Sequence, residues 1–362
     1  MLYFFTAILF FMHSFEYSLH IHTHFCIFAI DKPFYYVYNK STFSKICTKL
    51  KEGTPLTKIF IDGSAGTTGL RIHERLLERT DIELITLSEE NRKDPACRKA
   101  ALNAADIAFL CLPDAAAIES VSLIDNPNTA VIDTSTAHRT ADGWAYGFAE
   151  LPGQREKIKA SKRIANPGCH ASGFVALVAP LTDAGIISKD ALLTCFSLTG
   201  YSGGGKKMIA EYEDAERDFL LDAPRQYALT QNHKHLPETK HLCGLENAPV
   251  FCPIVGAFYS GMEVTVPLFA SQINGTIEDI KAVYKKLYNG PIVNFVDNAG
   301  ESGFMSANAL SDKDTMEISV LGNEERILLT ARFDNLGKGA SGAAIQNMSI
   351  LLGTDEACGL NL

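Results

Sequence analysis

The stretch KIFIDGSAGTTG, Lys58–Gly69, decides the fold. Its apolar first half predicts a buried β-strand, and its glycine-rich second half predicts a turn that opens a helix. The G-x-x-G-x-x-G spacing is a variant of the fingerprint that lets a backbone approach a dinucleotide pyrophosphate at a helix N-terminus. A plain turn between strand and helix is the alternative. The residues expected to bind the cofactor are Gly63, Ser64, Ala65, Gly66, Thr67, Thr68 and Gly69.

Strand and helix patterns alternate beyond this loop. Apolar runs at Ile82–Leu87, Asp106–Pro113 and Ala130–Ser135 predict three more strands, and the alanine-rich segment Ala115–Leu123 predicts a helix. Such alternation is typical of an α/β fold with a doubly wound parallel sheet. Right-handed crossovers then bring the loops after the strands to one edge, where ligands bind.

The pattern changes after Cys169. A helical segment is followed by longer strand patterns, spaced as in an antiparallel sheet, and these predict a second domain of the α+β class. The patterns are ALLTCFSLTG, GMEVTVPLFA, DTMEISVLG and ERILLTARFD. The C-terminal GKGASGAAIQNMSILLG predicts a helix with small residues on one side, which favours close backbone approach.

Composition limits the possible functions. Of 362 residues, 46% are hydrophobic and 21% are charged, as in ordinary globular proteins. The net charge of -9 argues against a nucleic-acid-binding protein, which normally shows a basic surface. The nine cysteines are scattered and contain no C-x-x-C pair, so a disulfide framework is not expected.

The first 57 residues differ from the rest, since they hold nine of the 21 phenylalanines. The run MLYFFTAILFFM lacks the basic segment of a signal peptide, since the first lysine is Lys32. It is also short for a membrane span of about 20 residues. A poor signal or anchor, a genuine extension, and upstream sequence translated in error are the three interpretations. We favour the third, so that residues 1–57 are an extension outside the fold.

The segment ANPGCHASGF, Ala165–Phe174, places a cysteine where a helix begins. Free N–H groups and the helix dipole at such a position stabilise a thiolate, so a lowered thiol pKa is expected for Cys169. The same N–H groups could hold an oxyanion. The alternative is a buried cysteine without a role. The pattern favours Cys169 as a nucleophile.

A thiolate needs a base or a proton donor, and NHKHLPE holds three candidates. His233 and His235 share one face if the segment is extended, and Glu238 could orient an imidazole through its N–H. Solvent-exposed histidines are the alternative. A zinc site is disfavoured because the histidine and cysteine spacing matches no common zinc pattern, and we expect no metal.

Three further motifs are rich in anion-binding groups. GYSGGGKK nearly matches a phosphate loop, but Lys207 stands where the Mg²⁺-binding hydroxyl belongs, so Ser202, Lys206 and Lys207 are expected to bind a substrate phosphate or carboxylate. Arg139 in DTSTAHR could clamp a phosphate. After the second strand, LSEENRKD offers Glu89 for NAD, or Ser88, Arg92 and Lys93 for the 2′-phosphate of NADP; NADP is slightly favoured.

Taken together, these motifs resemble N-acetyl-gamma-glutamyl-phosphate reductase, in its shorter second type. The resemblance covers Lys58 to about Gly353 and rests on six motifs in the family's order: KIFIDGSAGTTGLRI, STAHR, NPGC, GYSGGGKK, HKHLPE and DNLGKGASGAAIQN. It implies a Rossmann-like domain at 58–168, completed by a C-terminal helix at 338–362. It also implies a catalytic and dimerisation domain at 169–337 that is similar to glyceraldehyde-phosphate dehydrogenase.

The resemblance implies roles for individual residues. Cys169 is the nucleophile, His235 the acid/base residue with Glu238 in support, and the segment containing Asn335, Gly337 and Gly339 approaches the cofactor. The family usually has an aromatic residue after the cysteine, so His170 leaves two histidines that could carry the proton.

At the level of the whole protein, the resemblance implies an NADP(H)-dependent cytoplasmic enzyme of arginine biosynthesis. It would reduce a small acyl phosphate through a thioester and form a homo-oligomer, a dimer or tetramer, with no nucleic-acid or membrane partner. A related acyl-phosphate reductase such as aspartate-semialdehyde dehydrogenase is the main alternative. A phosphate-loop nucleotide hydrolase and a non-catalytic NADP-sensing regulator are the others.

Overall fold

The computed structural model describes residues 56–362. The expectation that residues 1–57 are an extension outside the fold therefore concerns mainly residues 1–55, which lie outside the described residues. Within the described part, no helix combines the length and the apolar character that crossing a bilayer requires.

The N-terminal half forms a six-stranded sheet in which every strand pair is parallel. Its strands are β1 (Thr57–Asp62), β2 (Ile82–Ile85), β3 (Ile107–Leu110), β4 (Ala130–Asp133), β5 (Ala145–Tyr146) and β6 (Arg163–Ala165). The helices between them are α1 (Thr67–Leu76), α2 (Pro95–Ala104), α3 (Asp114–Ser122) and α4 (Gln154–Ala160). The order β2-β1-β3-β4-β6-β5 confirms the predicted doubly wound sheet.

The apolar runs form strands because both faces of this sheet are covered. Ile59 and Phe109 pack on one side, whereas Phe60 and Ala108 pack on the other. Such two-sided burial explains the near-continuous apolar runs that distinguish parallel from antiparallel strands. Because these strands are parallel, the loops after β1, β3 and β4 lie at a single edge of the sheet.

The C-terminal half is built on a seven-stranded mixed sheet of order β11-β12-β13-β10-β7-β9-β8. The strands are β7 (Thr194–Gly200), β8 (Arg225–Gln226), β9 (Val250–Gly256), β10 (Met262–Phe269), β11 (Val293–Phe295), β12 (Met316–Gly322) and β13 (Arg326–Phe333). Two pairs, β7–β9 and β11–β12, are parallel, and the others are antiparallel. The remaining helices are α5 (Cys169–Asp183), α6 (Gly205–Glu213), α7 (Leu236–Leu242), α8 (Ile277–Leu287) and α9 (Gly342–Leu352). The second domain is therefore α+β, as predicted.

Helix α5 is the centre of the second core and carries Cys169 as its first residue. The helix is buried along nearly its whole length, against β10 and β13. Pro180 cannot donate a helical hydrogen bond to the Ala176 carbonyl. The Tyr288 hydroxyl donates to that carbonyl instead, at 2.6 Å. This contact satisfies a buried acceptor that the proline leaves open.

The C-terminal segment returns to the first sheet. A π-helical turn, Gly337–Ser341, leads into α9, whose Ala344 and Met348 join the core beneath β1 and β4. The predicted helix over 338–362 is longer than the observed one, because Gly353, at φ +67°, caps α9 in the left-handed conformation.

A buried ion pair below the glycine loop provides a test of the first domain. Asp62, at the end of β1, accepts hydrogen bonds from Arg98 at 3.0 Å and from the Ser120 hydroxyl at 2.8 Å. Arg98→Met should lower the free energy of unfolding by about 3–5 kcal/mol, because Asp62 would keep a buried charge without its counterion. Urea denaturation measures this loss.

The matched control is Lys99→Met in the same helix, since Lys99 pairs with Asp125 on the surface. It should change the free energy of unfolding by less than about 1 kcal/mol. Equal losses in the two variants would contradict the assigned role of the buried pair.

Candidate active site

A cavity of about 260 Å³ lies where the edges of the two sheets meet, at the N-terminus of α5. The residues that surround it come from separate parts of the chain. Those used below are Arg139, Cys169, Tyr227, His235, Asn335 and Gly339. The structure therefore brings the predicted nucleophile, the predicted acid/base residue and one predicted anion-binding residue into a single cavity.

Gly168 allows two of these groups to reach the turn before Cys169. A Cβ atom at position 168 would lie 2.3 Å from Arg139 Nη1 and 2.4 Å from His235 Nε2. Gly339 has a similar relation to the thiol, since its Cβ would lie 3.1 Å from the Cβ of Cys169. Glycine at these two positions therefore makes room for the side chains around the thiol.

The buried Glu238 carboxylate accepts hydrogen bonds from three groups around the site. Its Oε2 accepts from Arg139 Nη1 at 3.0 Å, and its Oε1 accepts from the Tyr146 hydroxyl at 2.8 Å and the Gly168 amide at 2.9 Å. The sequence-based expectation that Glu238 orients an imidazole is wrong in this geometry, because Glu238 bonds to these three donors and the buried Nδ1 of His235 has no partner among the described residues. Glu238 instead fixes Arg139 and the turn that presents Cys169.

The His235 ring makes no hydrogen bond to any residue in 56–362, and its Nδ1 is buried without a partner. Burial first, and then the nearby Arg139 guanidinium, lower the pKa of His235 well below its usual value. The ring is therefore neutral at physiological pH.

The expected extended segment around His233 and His235 is a turn instead. The Leu236 amide donates to the His233 carbonyl at 3.0 Å, and α7 begins directly after His235. The two rings nevertheless meet, with centroids 4.8 Å apart.

The hydrogen bonds of the His170 ring differ from those of His235. Its Nδ1 lies 2.6 Å from the Ser197 hydroxyl, and its Nε2 lies 2.7 Å from the Tyr227 hydroxyl. Burial lowers the pKa of His170 to about 3, with the charges of His233 and Lys234 adding to the effect. Both ring nitrogens of His170 are thus occupied by protein partners.

The thiol of Cys169 departs from the sequence-based expectation of a lowered pKa. Burial raises the pKa of Cys169, and Arg139, the His170 amide and Lys234 lower it only in part. The cost of a buried thiolate exceeds the benefit of the helix N-terminus. The thiol is therefore predominantly protonated in the free enzyme at neutral pH.

A second cavity of about 300 Å³ adjoins the first and follows the glycine loop. Gly66, Thr67 and Thr68 line it on one side, and Thr134 and Ser135, after β4, line it on another. Gly63 has φ +89°, and a Cβ there would lie 2.3 Å from the Cys111 carbonyl oxygen. Gly69 is packed as tightly, since its Cβ would lie 2.4 Å from the Gly63 carbonyl oxygen. The tight loop and helix N-terminus suit a pyrophosphate.

The remaining cofactor candidates fall in three places. Asn335 lines the first cavity and donates a hydrogen bond to the Ser202 hydroxyl at 3.0 Å. Two residues that the sequence predicts for the site are therefore in contact. Gly337 is the first residue of the π-helical turn and is packed against the backbone, since a Cβ there would lie 2.1 Å from the Lys313 carbonyl oxygen. Ser88 and Arg92 share one turn after β2, joined by a 2.9 Å backbone hydrogen bond, and Arg92 pairs with Glu89.

The lysines of α6 do not reach the cavities. Lys206 and Lys207 are exposed and line neither of them. Lys234, for which no motif predicts a role, lines both cavities and forms no ion pair with a described residue. Its position between two histidines could have suggested this, but its direction depends on the turn before α7.

Tyr227 and Tyr146 were also missed. Neither belongs to a motif, yet Tyr227 lines the thiol cavity and Tyr146 binds Glu238. Among residues 56–362, no group of three histidine, cysteine or carboxylate side chains is arranged to hold a metal ion.

The fold and this site define the class to which the chain belongs. Residues 58–161 match the family model described as semialdehyde dehydrogenase, NAD binding domain, and residues 169–335 match semialdehyde dehydrogenase, dimerisation domain. Solved structures agree in fold. Aspartate semialdehyde dehydrogenase II from Vibrio cholerae, complexed with ASA, is 17% identical and superposes with a TM-score of 0.63 over 83% of this chain and 99% of that one. Aspartate semialdehyde dehydrogenase with NADP from Candida albicans gives 15% and 0.58, over 82% and 99%.

Sequence similarity is more specific. N-acetyl-gamma-glutamyl-phosphate reductases from Brucella suis and Brucella ovis are each 47% identical over 306 residues, which is 82% of this chain and 99% of theirs. The chain belongs to the N-acetyl-gamma-glutamyl-phosphate reductase family.

The raised pKa of Cys169 predicts how its alkylation depends on pH. The iodoacetamide rate at Cys169, followed by peptide mass spectrometry, should still climb steeply above about pH 9, past the usual thiol pKa of about 8.5. Arg139→Met should move the profile to higher pH and slow alkylation at about pH 8 by roughly fivefold to tenfold, because a nearby positive charge is lost.

Two comparison variants support this test. Arg139→Lys keeps the charge and should keep most of the wild-type profile. Arg155→Met removes an exposed arginine paired with Glu356 and should leave the profile unchanged. A rate that levels off near pH 7 in the wild type would contradict the raised thiol pKa.

Proposed function

We propose that this protein reduces N-acetyl-gamma-glutamyl phosphate to N-acetyl-glutamate semialdehyde, releasing phosphate, with NADPH as reductant, in arginine biosynthesis. The observation that carries the proposal is Cys169 at the head of α5, in one cavity with His235 and Arg139 and beside a dinucleotide-type glycine loop. The similar proteins from Brucella carry the name of this reaction.

The glycine loop fits a nicotinamide dinucleotide. Gly63 and Gly69 have no room for a Cβ atom, and the adjoining cavity has free N–H groups at the start of α1. Gly66, Thr67 and Thr68 would hold the pyrophosphate there. Ser88 and Arg92 support NADP over NAD, and a fold neighbour contains NADP. The bound dinucleotide supplies hydride to a carbonyl carbon.

The chain's own residues account for acyl transfer. Cys169 loses its proton to the neutral His235 ring, and the thiolate sulfur bonds to the acyl carbon while the carbon–oxygen bond to phosphate breaks. Phosphate leaves and a thioester remains on Cys169. The N–H groups at the start of α5 can stabilise the oxyanion formed during this attack.

His235 also accounts for the return of the proton. After reduction of the thioester carbon, imidazolium donates its proton to the oxygen, and the resulting thiohemiacetal releases the aldehyde and the thiol. Two observations favour His235 over His170 as this acid/base residue. The His235 ring has no hydrogen-bond partner among the described residues, whereas both nitrogens of His170 are engaged.

Lys234 and Arg139 are suited to the phosphate group. Arg139 already donates to Asn166, Thr134 and Glu238, so only part of its guanidinium faces the cavity. Lys234 stands where the two cavities meet and its ammonium is not paired with a described carboxylate. We therefore place the leaving phosphate beside Lys234, with Arg139 behind it.

We also propose a homo-oligomer in the cytoplasm. The outer face of the second sheet exposes apolar side chains, and a second copy of the chain would cover them. They include Phe196 of β7, Val250 of β9 and Leu328 of β13. The matched dimerisation domain supports this assembly.

The placement of Lys234 predicts a change in phosphate affinity. In the reverse reaction, Lys234→Met should raise KM for phosphate about tenfold with a smaller change in kcat, because a charged hydrogen bond to the bound anion is lost. Initial rates at varied phosphate measure this effect. The comparison variant is Lys207→Met, and a larger KM increase there would move the phosphate site to α6.

The proposed reaction is tested by phosphate-dependent reduction of NADP⁺ with N-acetyl-glutamate semialdehyde, with aspartate semialdehyde in parallel. We expect activity with the acetylated compound and little with aspartate semialdehyde. The opposite preference would assign the chain to aspartate-semialdehyde chemistry. Inactivity with both compounds, despite NADPH binding, would overturn the proposal.

Cys169→Ser tests the covalent step. It should bind NADPH normally but lose turnover by a factor of about 10³ or more, because serine is a far weaker nucleophile at neutral pH. Fluorescence titration measures binding, and the reverse assay measures turnover. Wild-type turnover in this variant would rule out the thioester.

A further inference from the structure

Three side chains form a connected path from the second sheet to the thiol cavity. Ser197 of β7 is fully buried and contacts His170 of α5, and His170 contacts Tyr227, which follows β8 and lines the cavity. The heavy-atom separations are 2.6 Å and 2.7 Å, so both contacts are hydrogen bonds. The proposed mechanism uses none of these three side chains.

The His170 ring carries a single N–H. Because burial keeps the imidazole neutral, one ring nitrogen donates a hydrogen bond and the other accepts one. Two arrangements are possible. Either Nδ1 donates to Ser197 and Nε2 accepts from Tyr227, or Nδ1 accepts from Ser197 and Nε2 donates to Tyr227.

The burial of Ser197 distinguishes the two arrangements. His170 is the only partner of the Ser197 side chain among the described residues, and the side chain is inaccessible to solvent. If Ser197 accepted from His170, its own hydroxyl proton would be buried without an acceptor, which costs about 1–3 kcal/mol. If Ser197 donates to Nδ1, the Ser197 proton and the proton on Nε2 both have a partner, and only the Tyr227 hydroxyl proton, at the cavity, is left without one among the described residues.

The second arrangement fixes the direction of the Tyr227 hydroxyl. Nε2–H donates to the Tyr227 oxygen, so the phenolic O–H turns away from His170 and toward the cavity. Tyr227 and Cys169 line the same cavity, where burial and then the negative charge of a Cys169 thiolate raise the pKa of Tyr227. It therefore stays a proton donor at neutral pH.

We propose that Tyr227 is a substrate-binding residue whose hydroxyl donates a hydrogen bond to an oxygen of the acyl substrate at Cys169, and that Ser197 and His170 are positioning residues that direct this proton. This inference deepens the proposed function and rests on it. Position 170, adjacent to the nucleophile, thus has a role other than proton transfer.

The test uses the reverse reaction with N-acetyl-glutamate semialdehyde. Tyr227→Phe should lower kcat/KM for the aldehyde about tenfold to a hundredfold, because the loss of a hydrogen bond to substrate leaves the oxygen unpaired in the cavity. Tyr259→Phe is the control, since Tyr259 is exposed and lines neither cavity, and it should match the wild type.

A double-mutant cycle separates positioning from simple packing. His170→Phe should lower kcat/KM in the wild-type background and have little further effect in the Tyr227→Phe background. His170→Gln keeps a donor near the position of Nε2 and should retain more activity than His170→Asn. Circular dichroism and thermal unfolding check that each variant folds, and if His170→Phe does not fold, Tyr227→Phe and His170→Gln carry the test.

The possible results are distinct. An active wild type with an unimpaired Tyr227→Phe variant overturns the inference and leaves the proposed function in place. Additive losses at positions 170 and 227 overturn the positioning role of His170. A wild type without activity overturns the proposed function, and the inference falls with it.

Discussion

The buried carboxylate of Glu238 is the interaction on which the rest of the site depends. It joins three elements that are distant in sequence, since its donors are Arg139 after β4, Tyr146 of β5 and the Gly168 amide before α5. A buried charge is stable only when its counterion and hydrogen bonds are all present. The loop carrying Arg139 and the turn carrying Cys169 are therefore held in one geometry by the same two oxygen atoms.

The burial that makes this network rigid also sets the protonation of the reacting groups. Removing water penalises charge, so the His235 ring is neutral and the Cys169 thiol keeps its proton in the free enzyme. A neutral base beside a protonated thiol is an inactive resting pair. In the proposed mechanism, proton transfer between them creates a thiolate and an imidazolium whose opposite charges attract each other.

Much of the fold follows from local sequence patterns. Alternating strands and helices with apolar runs predict the parallel sheet, and the change to longer strands predicts the second domain, because both patterns depend on neighbours in sequence. The glycine loop and the start of α5 are predictable for the same reason. The parallel pairs β7–β9 and β11–β12 were not predicted, since strand order depends on long-range packing.

The sequence predicts several residues of the site, but it does not predict which side chains contact each other there. Motifs identified Cys169, His235 and Glu238, and the structure places them together. The partners of Glu238, the raised pKa of Cys169 and the role of Lys234 depend on which side chains meet after folding. Tyr227 belongs to no motif, and only its contact with His170 draws attention to it.

The two histidines beside the thiol show why such contacts decide chemistry. They have the same side chain and are both buried, with rings 5.5 Å apart. His170 sits on α5 between Ser197 and Tyr227, and its nitrogens have no free capacity. His235 precedes α7, with Nε2 against Gly168 and Nδ1 unpaired. An unpaired buried nitrogen costs stability, and such costs are found where a group must remain free to react. The difference in hydrogen bonding therefore supports the proposal that His170 positions Tyr227 and that His235 transfers the proton.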